Sequence, residues 1–379
     1  MRTAFHNGRI VTPGGVLTGQ AVLAEGGRIA DVVAAAAIPA DAKRVDLEGG
    51  LLLPGFIDVQ VNGGGGVLFN ATPTVEGLAA IASAHAKFGM TGLMPTIIST
   101  DLATIAKAIA AVDAAILRDV PGILGIHIEG PYLSPKRRGI HNPKEFPALD
   151  DHAIAVLSSL KQGRTMVTLA PDAVPPEAIA KLAKAGILVC IGHSDADYDT
   201  VNAALKAGAR GFTHLFNAMS PLTTRAPGVV GAALDDRKAW CGIITDGHHV
   251  HPAALRVAYA CRGADRLMLV TDAMPPSASD MTSFELQGRT IRVVDGVCVG
   301  PDGTIAGAAA DMAVIVKKAA EYFRLTDPMA MARLSSGNAA DFLGLGGEIG
   351  AIVPGARADF ALVDEAFVLH RTYCGGEAL

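Results

Sequence analysis

The chain has 379 residues, half of them apolar, with 32 basic and 37 acidic side chains and a formal charge of −5. No basic run exceeds Lys136-Arg137-Arg138, which argues against a nucleic-acid or anionic-membrane surface. Apolar runs are broken by Pro, Gly or a charge well short of the roughly 18 residues a membrane helix needs. The start, Met1-Arg2-Thr3-Ala4-Phe5-His6-Asn7, lacks the apolar core of a signal peptide. A soluble cytoplasmic protein without membrane or nucleic-acid partners is expected. The five cysteines, Cys190, Cys241, Cys261, Cys298 and Cys374, are scattered and form no Cys-x-x-Cys pair, which predicts free thiols in a reducing compartment.

In chain order, residues 1–50 read as short β runs broken at Pro13-Gly14-Gly15, Glu25-Gly26-Gly27 and Glu48-Gly49-Gly50. From Leu51 onward eight apolar runs with β character follow: 51–61, 93–98, 123–128, 166–169, 187–191, 211–215, 240–244 and 267–270. Ala-rich amphipathic stretches of helical length lie between them, at 75–88, 102–117, 176–184, 199–206 and 252–261. Gly63-Gly64-Gly65-Gly66 reads as a flexible loop, without the Gly-x-Gly-x-x-Gly turn of a dinucleotide-binding open sheet. A β stretch at 284–299 interrupts the last unit, and the tail from Ile349 is again β-like. The expected fold is α/β, a (β/α)8 TIM-like barrel over 51–349. A small β-sandwich domain built from both chain ends, 1–50 and 350–379, stands beside it, since neither end alone buries a core.

Active sites of such barrels lie at the C-terminal strand ends, so a polar residue directly after an apolar run has a positional claim on function. Asp58, Gln60 and Asn62, Glu129, His193, His214, Asp246 and Asp272 all meet that test. Two His and one Glu converging from three strands form a set that a borderline ion such as Zn²⁺ accepts while keeping a position open for water. A carboxylate on the eighth strand is placed to take that water's proton. His127 shares a face with Glu129 and reads as a packing residue behind the site. Asp58 and Asp246 read as network residues, and His6 and His85 as surface or helix histidines.

A second group suggests an anion and sugar site. Asn217-Ala218 follow His214 in a turn whose backbone N–H groups face a ligand, and His248, His249 and His251 crowd the loop after the seventh strand. Arg225, between Pro221 and Pro227, offers either a planar fork for phosphate or an ordinary solvated loop cation. His141, on the long loop after Glu129, is within reach of a developing oxyanion.

The segments Pro54-Gly55-Phe56-Ile57-Asp58, His127-Ile128-Glu129-Gly130-Pro131, Gly192-His193-Ser194, Thr213-His214-Leu215-Phe216-Asn217-Ala218-Met219, Asp246-Gly247-His248-His249-Val250 and Val270-Thr271-Asp272-Ala273 together resemble the amidohydrolase superfamily. Within it they resemble the N-acetylglucosamine-6-phosphate deacetylase family, over essentially the whole chain. The resemblance implies one divalent ion per subunit, Zn²⁺ first and Fe²⁺, Mn²⁺ or Co²⁺ as alternatives, held by Glu129, His193 and His214. It implies Asp272 as the catalytic carboxylate, and sugar-phosphate contacts from Asn217, Ala218, Arg225 and His249, to which Ile140, Ile305, Ala306 and Gly307 are added. It also implies a homodimer in which Arg225 serves the partner's site. Many superfamily members carry His-x-His where this chain reads Gln60-Val61-Asn62. Amides are poor zinc ligands, so a second metal position is not expected.

The expected activity is hydrolysis of N-acetyl-D-glucosamine 6-phosphate to D-glucosamine 6-phosphate and acetate, with Asp272 moving the proton and His141 stabilising the oxyanion. The rivals are the N-acetylgalactosamine 6-phosphate epimer as substrate, and an amidohydrolase-like scaffold without turnover. A non-catalytic chain has no physical need for Glu129, His193, His214 and Asp272 together.

Overall fold

A computed structural model describes residues 2–379. Eight parallel strands pair in chain order: Phe56–Val61, Met90–Ile98, Gly125–Glu129, Arg164–Leu169, Leu188–Ile191, Gly211–Phe212, Trp240–Ile243 and Leu267–Leu269. They are buried almost throughout, as parallel strands covered by helices must be. The first and eighth strands meet along one seam, where Val61 bridges Ala273 and the Asp272 N–H donates to the Gln60 carbonyl at 3.1 Å. Asp58 ties the same seam, accepting from the Thr271 N–H at 2.9 Å, the Thr271 hydroxyl at 2.6 Å and the Gln60 N–H at 2.9 Å. Burial pushes this carboxyl up to about 7 against the three donors. The chain thus forms a (β/α)8 barrel.

The helices start where short polar side chains satisfy the first free N–H groups. Thr74, Asp101, Asp197 and Asp311 each accept from a backbone N–H three residues on. The sequence reading of 102–117 and 176–184 coincides with the observed helices Leu102–Leu117 and Pro176–Lys184.

Both chain ends build two further sheets. Thr3–His6, Gln20–Glu25, Arg28–Ala34 and Lys43–Asp46 form one. Arg9–Thr12, Gly15–Leu17, Leu51–Pro54, Phe360–Val363, Leu369–Cys374 and Glu377–Ala378 form the other. Phe5, Ile10, Val22, Ile29, Leu52, Phe360 and Tyr373 make a shared core from the two sheets. Phe5 meets Phe360 and Tyr373 edge-on at centroid distances of 5.1 and 4.9 Å. This is a small β domain made from the two ends.

Three local expectations change. The run 51–61 is not one strand: Leu51–Pro54 pairs with Phe360–Val363 in the end sheet, and only Phe56–Val61 enters the barrel. The break falls at Gly55, where a Cβ would lie 2.2 Å from the Thr91 hydroxyl, so only glycine lets the chain pass there. The glycine run is not a flexible loop but a hairpin, Gly63–Gly64 against Val67–Leu68, turned through Gly65 and Gly66 at φ +60° and +83°. Of the two readings of His85, the helix one holds and the surface one does not: it lies in the helix Val75–Ala86, fully buried, and its Nε2 donates to the Gly63 carbonyl at 2.9 Å.

After the eighth strand an antiparallel sheet, Ser283–Leu286, Arg289–Val294, Val297–Val299 and Ile305–Ala308, precedes the helix Met312–Phe323. Among the described residues no helix is long and apolar enough to cross a membrane, and all five cysteines are unpaired.

Candidate metal centre and active site

Glu129 ends the third barrel strand, while His193 and His214 each stand two residues beyond the fifth and sixth. His193 at φ +48°, His214 at +34° and Asp272 at +53° all take left-handed backbone, which is unfavourable for residues with a Cβ and characteristic of constrained sites. Glu129 Oε1 lies 3.2 Å from His193 Nε2 and 2.9 Å from His214 Nε2, and the two nitrogens are 3.0 Å apart. All three residues are buried. Burial disfavours a charged Glu129, but the two imidazoles packed against it hold its carboxyl well below the usual carboxylate range.

The donor set fits a divalent cation. His193 Nδ1 lies 2.9 Å from the Arg137 carbonyl, which can only accept, so Nδ1 carries the hydrogen and Nε2 turns a lone pair toward Glu129. A nitrogen lone pair facing a carboxylate oxygen repels it unless a cation or proton lies between them. Two imidazole nitrogens and one carboxylate oxygen on a common point satisfy the ligand preference of a borderline ion, with one imidazole oriented by a backbone carbonyl behind it.

Asp272 lies in the same cavity, of about 410 Å³, where burial first and the charge of Glu129 second push its carboxyl up to about 6. Its Oδ1 accepts from Asn62 Nδ2 at 2.7 Å and Gln60 Nε2 at 3.2 Å, and Gln60 Nε2 also reaches Glu129 Oε1 at 3.2 Å. His141 also lines the cavity, its Nδ1 2.7 Å from the Ser99 hydroxyl. Burial, and then His193, push the His141 imidazole down to about 3, so it is neutral at physiological pH.

Asn217 and Ala218, which follow His214, also line the cavity, and the Asn217 side chain donates to the His214 carbonyl at 3.1 Å. His249 Nδ1 is 2.6 Å from Asp246 Oδ2, and its Nε2 is buried without a partner. Burial would raise the Asp246 carboxyl, but His249 and two backbone N–H groups hold it at about 2. Ile140 and the stretch Ile305, Ala306 and Gly307 also line the cavity. Arg225 is the exception among the sequence candidates: it is exposed in its loop and does not line the cavity of its own chain. Lys136 and Arg137 do line it, which the sequence reading missed by taking the basic triplet only as a charge run. Their place beside His141, on the loop after Glu129, was the available signal. His127 is held outside the cavity between Thr96 and Thr168 hydroxyls, at 3.1 and 2.7 Å.

Comparison with known proteins gives a consistent result. An amidohydrolase family model matches residues 51–379, and a NagA composite domain model matches residues 4–52. An N-acetylgalactosamine-6-phosphate deacetylase from Shewanella sp. (strain ANA-3) is 41% identical over 90% of this chain and 86% of its own. An N-acetylglucosamine-6-phosphate deacetylase from Haemophilus influenzae is 34% identical over 100% of this chain and 99% of its own. The crystal structure of N-acetylglucosamine-6-phosphate deacetylase from Pasteurella multocida superposes with a TM-score of 0.96 at 34% identity, covering 100% of both chains. With the barrel, the strand-end ligand set and both models spanning the chain, the protein belongs to the amidohydrolase family, on the branch of the N-acetylhexosamine-6-phosphate deacetylases.

Proposed function

We propose that the protein hydrolyses the acetamide of N-acetyl-D-glucosamine 6-phosphate to D-glucosamine 6-phosphate and acetate. The observation that carries this reading is the convergence of Glu129, His193 and His214 with Asp272 in one buried cavity. Glu129, His193 and His214 would hold one ion, Zn²⁺ being the best match to a two-nitrogen, one-oxygen set. When bound, it polarises the amide carbonyl and acidifies water. Asp272 removes the proton from the attacking water and returns it to the departing nitrogen. His141 Nδ1 is paired with the Ser99 hydroxyl at 2.7 Å, and in this role the tautomer with its hydrogen on Nε2 donates to the oxyanion. Asn217, Ala218, His249, Ile140 and Ile305 to Gly307 seat the sugar phosphate, whose remote binding energy positions the amide. Residues 51–349 act as the catalytic unit, with 1–50 and 350–379 as the β domain. In this reading the protein works in the cytoplasm as a homodimer, and Arg225 reaches the partner's phosphate site.

The galactosamine epimer is the second reading, favoured by the 41% identity to a deacetylase of that name. Acetate release from both hexosamine phosphates by the metal-loaded enzyme decides between them. The higher kcat/KM is expected on the glucosamine derivative. The reverse order assigns the epimer, and no acetate from either overturns the hydrolase reading.

A further inference from the structure

We propose that Gln60 and Asn62 are positioning residues that commit one oxygen of Asp272 to the protein and leave the other to the reaction. The proposal deepens the assignment of Asp272 as the proton carrier and rests on it. Both amides aim a side-chain N–H at the same atom, Asp272 Oδ1, at 3.2 and 2.7 Å. Among the described residues no hydrogen bond engages Oδ2. A carboxylate held this way cannot spin about its last bond, and only Oδ2 faces the reaction with its lone pairs free.

The backbone fixes the same geometry. The Gln60 carbonyl accepts the Asp272 N–H at 3.1 Å, so main chain and side chain of one residue grip one aspartate at two points. Asn62 is anchored one residue further along, its N–H on the Ala273 carbonyl at 2.9 Å. Gln60 Nε2 has two hydrogens and two carboxylate partners, Glu129 Oε1 and Asp272 Oδ1, each at 3.2 Å. It thereby separates two like charges with a neutral donor. An imidazole could not do both, because each ring nitrogen carries at most one hydrogen. The Asn62 Oδ1 is buried without a partner on the cavity wall.

In the reaction so organised, a water proton moves to Asp272 Oδ2 while the water oxygen bonds to the acetyl carbon. The C–N bond then breaks, Oδ2 returns the proton to nitrogen, and acetate leaves carrying the water oxygen. No other co-reactant is needed.

Asn62→Leu and Gln60→Met remove the donors with little change in volume. Each is expected to lower kcat about 10- to 150-fold, the range for a hydrogen bond to a charged group, with KM within about twofold. Metal content by elemental analysis and the thermal midpoint should stay near wild type. The discriminating measurement is a double-mutant cycle. In the Asp272→Asn background, Asn62→Leu should cost little further activity, because the carboxylate it orients is gone. Full additivity, or a kcat loss that tracks metal loss, overturns the positioning role even if Asn62→Leu alone is slow. If Asp272→Asn keeps near-native turnover, the base assignment itself fails, a separate result. Should Asn62→Leu fail to fold, the same cycle with Gln60→Met carries the test.

Discussion

His85 shows how a single buried ring reports on the rest of the site. It donates to the Gly63 carbonyl, directly after Asn62, and its Nδ1 has no partner. Burial lowers its pKa from the ordinary 6.5, against the smaller effect of that hydrogen bond. Below that pH the unfolded chain takes up a proton that the folded chain refuses. The stability His85 allows is therefore complete above about pH 6.5 and declines as the pH falls. His85→Gln keeps an N–H donor but does not titrate. Its thermal midpoint should fall less than wild type's between pH 7.5 and 5.5, and parallel profiles would rule the histidine out as a source of the slope. A chain-order reading had no access to this, because the partner of His85 lies 22 residues away on another element. The same limit explains Gln60 and Asn62. Their poverty as metal ligands is legible in the residue type, whereas their grip on Asp272, more than 200 residues on, exists only after the barrel closes. Glu129, His193, His214 and Asp272 were legible as candidates because they follow apolar strand runs, a position they share with Asp58, Gln60, Asn62 and Asp246, and the family resemblance then singled them out.

Elements were readable in proportion to how locally their ends are determined. Leu102–Leu117 begins at Asp101, which accepts the Thr104 N–H at 2.9 Å, a signal present in the sequence itself. The hairpin Gly63–Gly64 with Val67–Leu68 was not readable, because its glycines answer a packing demand from elsewhere. A Cβ on Gly64 would lie 2.2 Å from His85 Nε2, and one on Gly65 2.7 Å from the Ala84 Cβ. Gly64→Ala should therefore destabilise by about 1–3 kcal/mol, as overpacking does. Its cause can be isolated, since the ring it strikes can be removed. In a His85→Ala background, where that space is open, Gly64→Ala should cost much less. Equal costs in both backgrounds, measured by urea unfolding, would place the conflict somewhere other than the ring.

At the scale of the whole molecule, one centre and one absent cation remain to be explained. With Gln60 and Asn62 engaged to carboxylates, the barrel mouth has a single cluster of imidazole and carboxylate donors among the described residues, so purified protein should hold about one divalent ion per chain. Two tightly held ions would contradict that count. Arg225 stands outside its own chain's cavity, in an exposed loop with Leu222 half exposed beside it. In the proposed homodimer, a second copy brings this loop over its neighbour's site, where the guanidinium contributes to phosphate binding. In that arrangement Arg225→Ala should lower kcat/KM for the 6-phosphate about 10- to 150-fold, the value of a charge-assisted contact, and barely change slow turnover of the unphosphorylated sugar. Mixing then separates the two geometries. Combining Arg225→Ala chains with Asp272→Asn chains yields mixed dimers in which one site has an intact base and the partner's intact arginine, restoring about a quarter of wild-type sites if subunits pair at random. An arginine acting within its own chain would give no restoration. Equal losses on both substrates would assign Arg225 to the stability of the loop instead.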